Sequence, residues 1–184
     1  MAIKIIRLAT ADNVTDAMPI NNDVDSDTLK KTIWIAQEQH VQSALGSSLY
    51  KKILELVDSG DISQPANSEY KDLLDDKIIP VLFRFSYYRS LRTFSSQFTD
   101  KGVQNRSGEA SQRATELNVH ALRQDALNDA EFHEELLIRY ICDKGAGVFP
   151  EYWDCDTEDI KPNGGSSFNG IVHSNRRRRD ERLH

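Results

Sequence analysis

The sequence is poor in cysteine and has no long apolar run. Its two cysteines, Cys142 and Cys155, stand 13 residues apart, without CxxC spacing and without a paired histidine motif. This pattern predicts neither a zinc site nor a disulfide framework, so we interpret both residues as free thiols. Nowhere do 18 apolar residues follow one another, and no signal-peptide pattern follows the short apolar start MAIKIIRL. We therefore expect synthesis in the cytosol and no membrane partner.

Motifs that carry catalysis are missing as well. The sequence contains no Walker A loop, GxGxxG, HExxH, GxSxG or EF-hand loop, and scattered residues rarely reproduce the geometry that such motifs supply. The five histidines are dispersed. The ligand-like run His133, Glu134 and Glu135 falls on a predicted helix, where successive side chains point to different faces and cannot converge on one metal. We expect no catalytic residue, no cofactor and no metal site, and hence no enzyme.

Charge is distributed unevenly along the chain. The total is −6, but residues 176–184 hold five arginines against two acidic residues, a net +3, which leaves about −9 on residues 1–175. An acidic body argues against a protein that wraps duplex DNA. The basic end has three interpretations: a solvated tail, a contact with an acidic protein surface, or a contact with a phosphate backbone.

The chain does have enough apolar residues for one helical domain. Of its 184 residues, 39% are hydrophobic and 28% are charged, which is enough apolar surface for one core. A chain of this length is too short to expect two domains. Apolar residues recur at helical spacing in four stretches, separated by Gly46, by residues 59–68 and by residues 99–108. Pro80 should kink the third stretch, and Asn128 with Asp129 allow a bend in the fourth. The pattern predicts a mainly α fold, an antiparallel bundle of four or five helices.

Two non-helical arms are expected to flank this bundle. Residues 1–25 combine a β-prone start with a polar stretch, which predicts an extended N-terminal arm. Residues 26–153 form the predicted helical domain. Residues 154–184 form the predicted extended C-terminal arm, because a segment rich in Gly, Ser and then Arg has too little apolar content to build a core.

The C-terminal arm holds the residues that we expect to contact partners. Its few apolar side chains are candidate anchors on a neighbouring subunit, where the arm could add as an edge strand. The arginine run supplies charged contacts to a partner surface or to phosphates. The candidate partner-binding residues are Phe168, Ile171, Val172, Arg176, Arg177, Arg178 and Arg179.

Aromatic residues concentrate in the third helical stretch. Such a series could form a stacking platform for nucleic acid, but its helical spacing favours core packing. The series is Phe83, Phe85, Tyr87, Tyr88, Phe94 and Phe98. The side chains that we expect to be buried are Leu49, Leu74, Leu82, Phe85, Leu117 and Leu137.

Four segments in a fixed order carry a family resemblance. They are VQSALGSSLY followed by KKIL at residues 41–54, YKDLLD with IIP at residues 70–80, DKGV at residues 100–103 and FPEY at residues 149–152. The first resembles the ILGxxLYxxL opening of the head-tail connector, or adaptor, proteins of tailed bacteriophages, and the other three match the same pattern. The resemblance spans about residues 29–153 and is strongest to connectors of phages that infect Bacteroidetes, including the crAss-like group.

The resemblance implies a structural virion protein that has no enzymatic activity. Such proteins form a helical ring, usually twelvefold, at the neck of the virion; the ring docks to the portal protein above and to other neck or tail proteins below, around a channel for DNA. The acidic body is compatible with passive contact with that DNA, and the arginine run with phosphate contact. The alternative is a nucleic-acid-binding module that uses the arginine-rich tail, for which binding should fall steeply with salt. Both arms lie outside the matched segments.

Overall fold

A computed structural model gives the backbone of residues 5–20, 24–99, 102–105, 116–154 and 160–162. Helices dominate these residues. In chain order they are α1 (Ala11–Ala17), α2 (Ser26–Ala36), α3 (Gln42–Ser59), α4 (Ser68–Leu73), α5 (Ile79–Ser95), α6 (Glu116–Lys144) and α7 (Pro150–Trp153). Between α5 and α6 the strands β1 (Ser96–Thr99) and β2 (Gly102–Asn105) pair antiparallel, with Thr99 opposite Gly102. The predicted mainly α bundle is confirmed, and the predicted turn near residue 100 takes the form of a hairpin.

Two π-helical turns join consecutive helices. Gln37–Val41 joins α2 to α3, and Leu74–Ile78 joins α4 to α5. The second turn directly precedes α5, in which Pro80 lacks an N–H and crowds the preceding turn. The Ile79 N–H donates to the Leu74 carbonyl across the wider π spacing, so the helix continues past the proline. A π-helical turn thus lies directly before the helix in which the sequence predicts a kink at Pro80.

Local sequence signals fix the ends of the longer helices. Asp25 accepts a hydrogen bond from the Thr28 N–H at 3.0 Å and caps α2. Gly60 and Gly145 end α3 and α6 in the left-handed conformation that favours glycine. Asn128 and Asp129 are both exposed and do not interrupt α6. Among the described helices, none is long and apolar enough to cross a membrane.

Helix α5 packs against both α2 and α6, and all three helices contribute side chains to one core. Phe85 lies in this core, with Phe83, Tyr88 and Phe94 packed partly buried against it, which confirms core packing for these four aromatics. Tyr87 is half-buried outside this cluster, and the side chain of Phe98 lies outside the described residues. The predicted core residues Leu49, Leu74, Leu82, Phe85 and Leu137 are all buried. The side chain of Leu117 lies outside the described residues.

The prediction of an extended arm over residues 1–25 is wrong for residues 11–17. Thr10 accepts a hydrogen bond from the Asn13 N–H at 3.2 Å and starts α1. Ala11 and Val14 are buried in the core, where α1 contacts α2 and α5. Because this burial supports a helix too short to be stable alone, the N-terminal segment is part of the folded body.

The predicted apolar stripe of the first helix is narrower than its sequence indicated. Leu29, Ile33 and Ala36 are buried as expected, whereas Trp34 and Ile35 are 38% and 37% exposed. Residues one and two positions after Ile33 are rotated away from the neighbouring helix by the helical repeat. The apolar residues Trp34 and Ile35, which stand beside this stripe in the sequence, predict a wider buried face; their exposure shows that this prediction is wrong.

Candidate docking site for the two terminal segments

Both ends of the described chain are fastened to one stretch of helix. We call residues 37–47 the joint: it comprises the π-turn Gln37–Val41 and the beginning of α3 up to Ser47. Residues 6–8 bind at its first residue, and residues 160–162 bind at its last two. The segments that precede and follow the helical body are thus held ten residues apart on the same stretch.

Gln37 holds the N-terminal segment by its backbone. The side chain is fully buried; its Nε2 donates to the Ile6 carbonyl at 2.9 Å, and its Oε1 accepts from the Leu8 N–H at 2.9 Å. Residues two apart on an extended strand present these groups along one edge, so the amide bonds the segment as a neighbouring strand would. The contact depends on backbone groups and not on the side chains of residues 6 and 8.

Tyr50 completes the hydrogen bonds of the buried amide. Its hydroxyl accepts from Gln37 Nε2 at 2.8 Å and donates to Glu38 Oε1 at 2.6 Å. Burial, reinforced by the hydrogen bond to Glu38, raises the pKa of Tyr50, which keeps the hydroxyl protonated as a donor. Since buried polar groups are costly when unpaired, this network fixes the rotamer of Gln37.

Gly46 and Ser47 hold the C-terminal segment where α3 is broken. Gly46 has φ +72° and ψ 162°, a backbone conformation that residues with a Cβ rarely adopt. The break frees the Ser47 N–H, which donates to the Ile160 carbonyl at 2.9 Å, while the Ile160 N–H donates to Ser47 Oγ at 3.2 Å. A Cβ at Gly46 would lie 2.8 Å from Pro162 Cδ, so the missing side chain makes room for the segment.

Helix α7 is fastened to α4 immediately before this anchor. The Tyr70 hydroxyl donates to the Glu151 carboxylate at 2.9 Å, and the Tyr70 ring meets Phe149 edge-on at 5.4 Å between centroids. Burial and the bond to Glu151 raise the pKa of Tyr70, which keeps it a donor. Three of the four segments that carry the family resemblance therefore meet in space, since α3 packs against α7 and α7 against Tyr70.

The substitution Tyr70→Phe tests this fastening. We expect it to lower the free energy of unfolding by about 1–2 kcal/mol, because it removes a hydrogen bond to a carboxylate and keeps the ring. Urea unfolding of the two proteins measures the difference. Tyr87→Phe on α5 is the matched control and should cost less than about 0.5 kcal/mol; an equal loss in both variants would show that the bond to Glu151 does not hold α7.

His40 lies inside the joint as a neutral ring. It stacks on Phe85 with 3.7 Å between ring centroids, and its Nε2 accepts from Arg89 Nε at 3.3 Å. Arg89 also donates to Gln39. Burial, with the nearby Arg89 charge, lowers the pKa of His40 from 6.5 to about 4. The ring therefore packs and accepts a hydrogen bond at neutral pH without carrying charge.

Acid should destabilise the protein through His40. Between pH 6.5 and about 4 the unfolded chain binds a proton at this residue and the folded chain does not, so stability falls as the pH falls through this range. We expect a loss of about 1–3 kcal/mol from this group, discounted for its partial exposure. Urea unfolding at pH 7 and pH 4.5 measures it. His40→Gln keeps an acceptor for Arg89, and its free energy of unfolding should fall by about 1–3 kcal/mol less between the two pH values. An equal fall in both proteins would show that His40 is not the cause of the acid sensitivity.

The sequence-predicted partner residues do not belong to the described site. Phe168, Ile171, Val172 and Arg176–Arg179 lie outside the described residues. His133, from the ligand-like run, lies beside Asp129, which pairs with Arg84 at 2.9 Å. Across the described ranges no three potential ligands come together as a metal site.

The sequence did not lead us to predict a role for Gln37, and for Gly46 it predicted only the break in the helix. Gln37 stands four residues after Ile33 and four before Val41, so it occupies a core position of the apolar stripe. A lone amide at such a position is a signal for a buried hydrogen-bond network. Gly46 was predicted to break the helix, but its second role, as the seat of Pro162, depends on a partner 116 residues away in sequence.

Residues 41–161 match the family model described as Family of unknown function (DUF6712). The match covers well over half of the 184 residues. It begins at the last residue of the first π-turn and ends at residue 161, so it contains Gly46, Ser47 and Ile160 but neither Pro162 nor Gln37. No curated protein and no solved structure matches the chain.

Proposed function

The chain belongs to the family of unknown function DUF6712, and we propose that it is a structural virion protein, a subunit of the head-tail connector ring of a tailed bacteriophage. In this proposal the ring docks to the portal protein, joins the capsid to the tail proteins and surrounds the DNA channel. The chain acts through its interfaces and not as an enzyme.

The observation that carries the proposal is the fastening of both terminal segments to one joint. A ring subunit needs a rigid body that sets the angle between neighbours, and ends that leave this body from fixed points. Here Gln37 holds residues 6–8, while Gly46 and Ser47 hold residues 160–162. The chain beyond Pro162 therefore starts from a defined place on a helical body.

The use of the buried polar groups supports a structural role. Gln37 and Ser47 form hydrogen bonds with the backbone of the terminal segments. The Tyr50 hydroxyl accepts a hydrogen bond from Gln37. Polar groups used in this way fix chain geometry. The resemblance of residues 41–54 to connector proteins concerns this same stretch, which contains Gly46, Ser47 and Tyr50.

Exposed apolar side chains on the body offer surface for neighbours. Phe132 on α6 is 57% exposed and Trp153 on α7 is 52% exposed. Aromatic residues are enriched in the cores of protein interfaces. Both positions are available to adjoining subunits or to other virion proteins.

Co-expression with the portal protein of the same virus tests the proposal. We expect the two proteins to purify together and electron microscopy to show a closed ring, with twelve copies as the expected number, beneath the portal. A chain that stays monomeric and does not bind the portal would contradict the proposal. Binding to duplex DNA with a steep salt dependence, lost on deletion of residues 176–179, would instead favour a nucleic-acid-binding module.

A further inference from the structure

The N-terminal part of the body carries an acidic cleft. It has a volume of about 270 Å³ and lies between α1 and the start of α2. Its walls and floor are Ala11, Asp12, Thr15, Asp16, Val24, Ser26 and Leu29. Ala11 and Leu29 are buried and form an apolar floor, whereas Asp12 and Asp16 are exposed at the rim.

The two rim carboxylates are four residues apart and therefore lie on one face of α1. Within the described ranges, neither has a salt bridge to a basic residue. Residues 8–29 contain five aspartates and no Lys or Arg. The next two residues, Lys30 and Lys31, lie close to Asp27 and Asp25 respectively. The cleft is thus suited to a cationic group.

An arginine side chain fits both parts of this cleft. Its aliphatic stem can cover apolar surface while its guanidinium stays at the polar rim. The planar guanidinium also bonds carboxylates through two parallel N–H groups, which a lysine cannot do. A cleft that combines an apolar floor with two carboxylates at its rim therefore favours arginine over a simple cation.

The chain itself contains such an occupant. We infer that the arginine run of residues 176–179 docks in the cleft formed by α1 and α2, with its guanidinium groups on Asp12 and Asp16. The run is the strongest concentration of positive charge in the sequence, at the end of an otherwise acidic chain. Opposite charge on the two surfaces steers such an encounter and selects this partner.

The chain beyond the C-terminal anchor is long enough for this contact. Residue 176 follows Pro162 by 14 residues, which span up to about 46 Å when extended. A body of this length has a radius of gyration of about 15 Å. The arginine run can therefore reach the cleft of its own chain or that of an adjoining copy, and in a ring it would link neighbouring subunits.

Fluorescence anisotropy of a labelled peptide tests the docking. The peptide comprises residues 170–184, and the host is the full-length chain in which Arg176–Arg179 are replaced by alanine, so that the host's own tail does not compete. We expect saturable binding that weakens about tenfold or more when the host also carries Asp12→Asn and Asp16→Asn. A peptide with glutamate in place of the four arginines should not bind.

A matched pair of carboxylates provides the control. Asp72 and Asp76 are exposed and also four residues apart along the helix, so Asp72→Asn with Asp76→Asn removes the same charge elsewhere. This control should change the affinity less than about twofold. Equal weakening by both pairs would show a general charge effect and overturn the inference.

The inference would also be overturned if the peptide did not bind the host, including the case in which it bound duplex DNA but not the host. The inference does not depend on the ring. Peptide docking without a ring would refute the proposed function only, and a ring without docking would refute this inference only.

Discussion

Gly46→Ala is expected to lower the free energy of unfolding by about 2–6 kcal/mol. Two costs add at this position. The backbone at φ +72° and ψ 162° is strained by about 1–3 kcal/mol for a residue with a Cβ. The new Cβ would also meet the Pro162 ring at 2.8 Å, which forces residues 160–162 away from the joint at a further cost of about 1–3 kcal/mol.

Gly60→Ala separates these two costs. Gly60 also has a positive φ, +79°, but a Cβ there has no atom within 4 Å, so this variant should lose only about 1–2 kcal/mol. Urea unfolding gives the energies. Hydrogen exchange should show faster exchange at the Ile160 amide in the Gly46 variant and not in the Gly60 variant. Equal stability losses with unchanged exchange at Ile160 would mean that Gly46 does not seat the C-terminal segment.

Gln37→Leu is the second substitution with a large expected effect. Leucine has a similar volume but leaves the Ile6 carbonyl and the Leu8 N–H without their partner. An unsatisfied buried backbone group costs about 1–3 kcal/mol. Because Ile6 and Leu8 are only half-buried, we expect a total of about 2–4 kcal/mol for the two groups. The loss should act on the N-terminal segment first, since its extended part is bonded through this amide.

Hydrogen exchange followed by mass spectrometry shows where the loss falls. Peptides covering residues 5–17 should exchange faster in the Gln37 variant, while α5 keeps its protection. Gln124→Leu on the exposed face of α6, where Gln124 bonds only Asn128 among the described residues, is the control and should change stability by less than about 0.5 kcal/mol. Unchanged exchange over residues 5–17 would show that Gln37 does not hold the N-terminal segment.

Features that depend on local sequence could be predicted. The bundle follows from apolar residues at helical spacing, and Asp25, Gly60 and Gly145 mark helix ends for reasons that act within a few residues. Gly46 also marks a break from its local surroundings alone. These signals need no knowledge of what packs against the helix.

Features that depend on distant partners were missed. Helix α1 is seven residues long and offers only Ala11 and Val14 to the core, so its stability depends on α2 and α5, which the local pattern does not show. Trp34 looks like a core residue in sequence, yet its side chain is 38% exposed.

The docking site was missed for the same reason. Its bonds join Gln37 to residues 6 and 8, and Ser47 to Ile160, across 29 to 113 positions in sequence. The resemblance segment at residues 41–54 includes Gly46 and Ser47, but its sequence does not indicate that they hold residues 160–162. A glutamine within an apolar stripe, and a glycine within a helix, were the two available signals.

Native mass spectrometry of the chain lacking residues 163–184, together with the portal protein, tests the central claim most directly. The claim is that a helical body folds by itself and that the chain beyond its C-terminal anchor joins it to neighbours. The account predicts that the shortened chain keeps its helical circular dichroism and remains a monomer, whereas the full-length chain forms a closed ring on the portal. Loss of helicity in the shortened chain, or rings formed equally well without residues 163–184, would contradict the account.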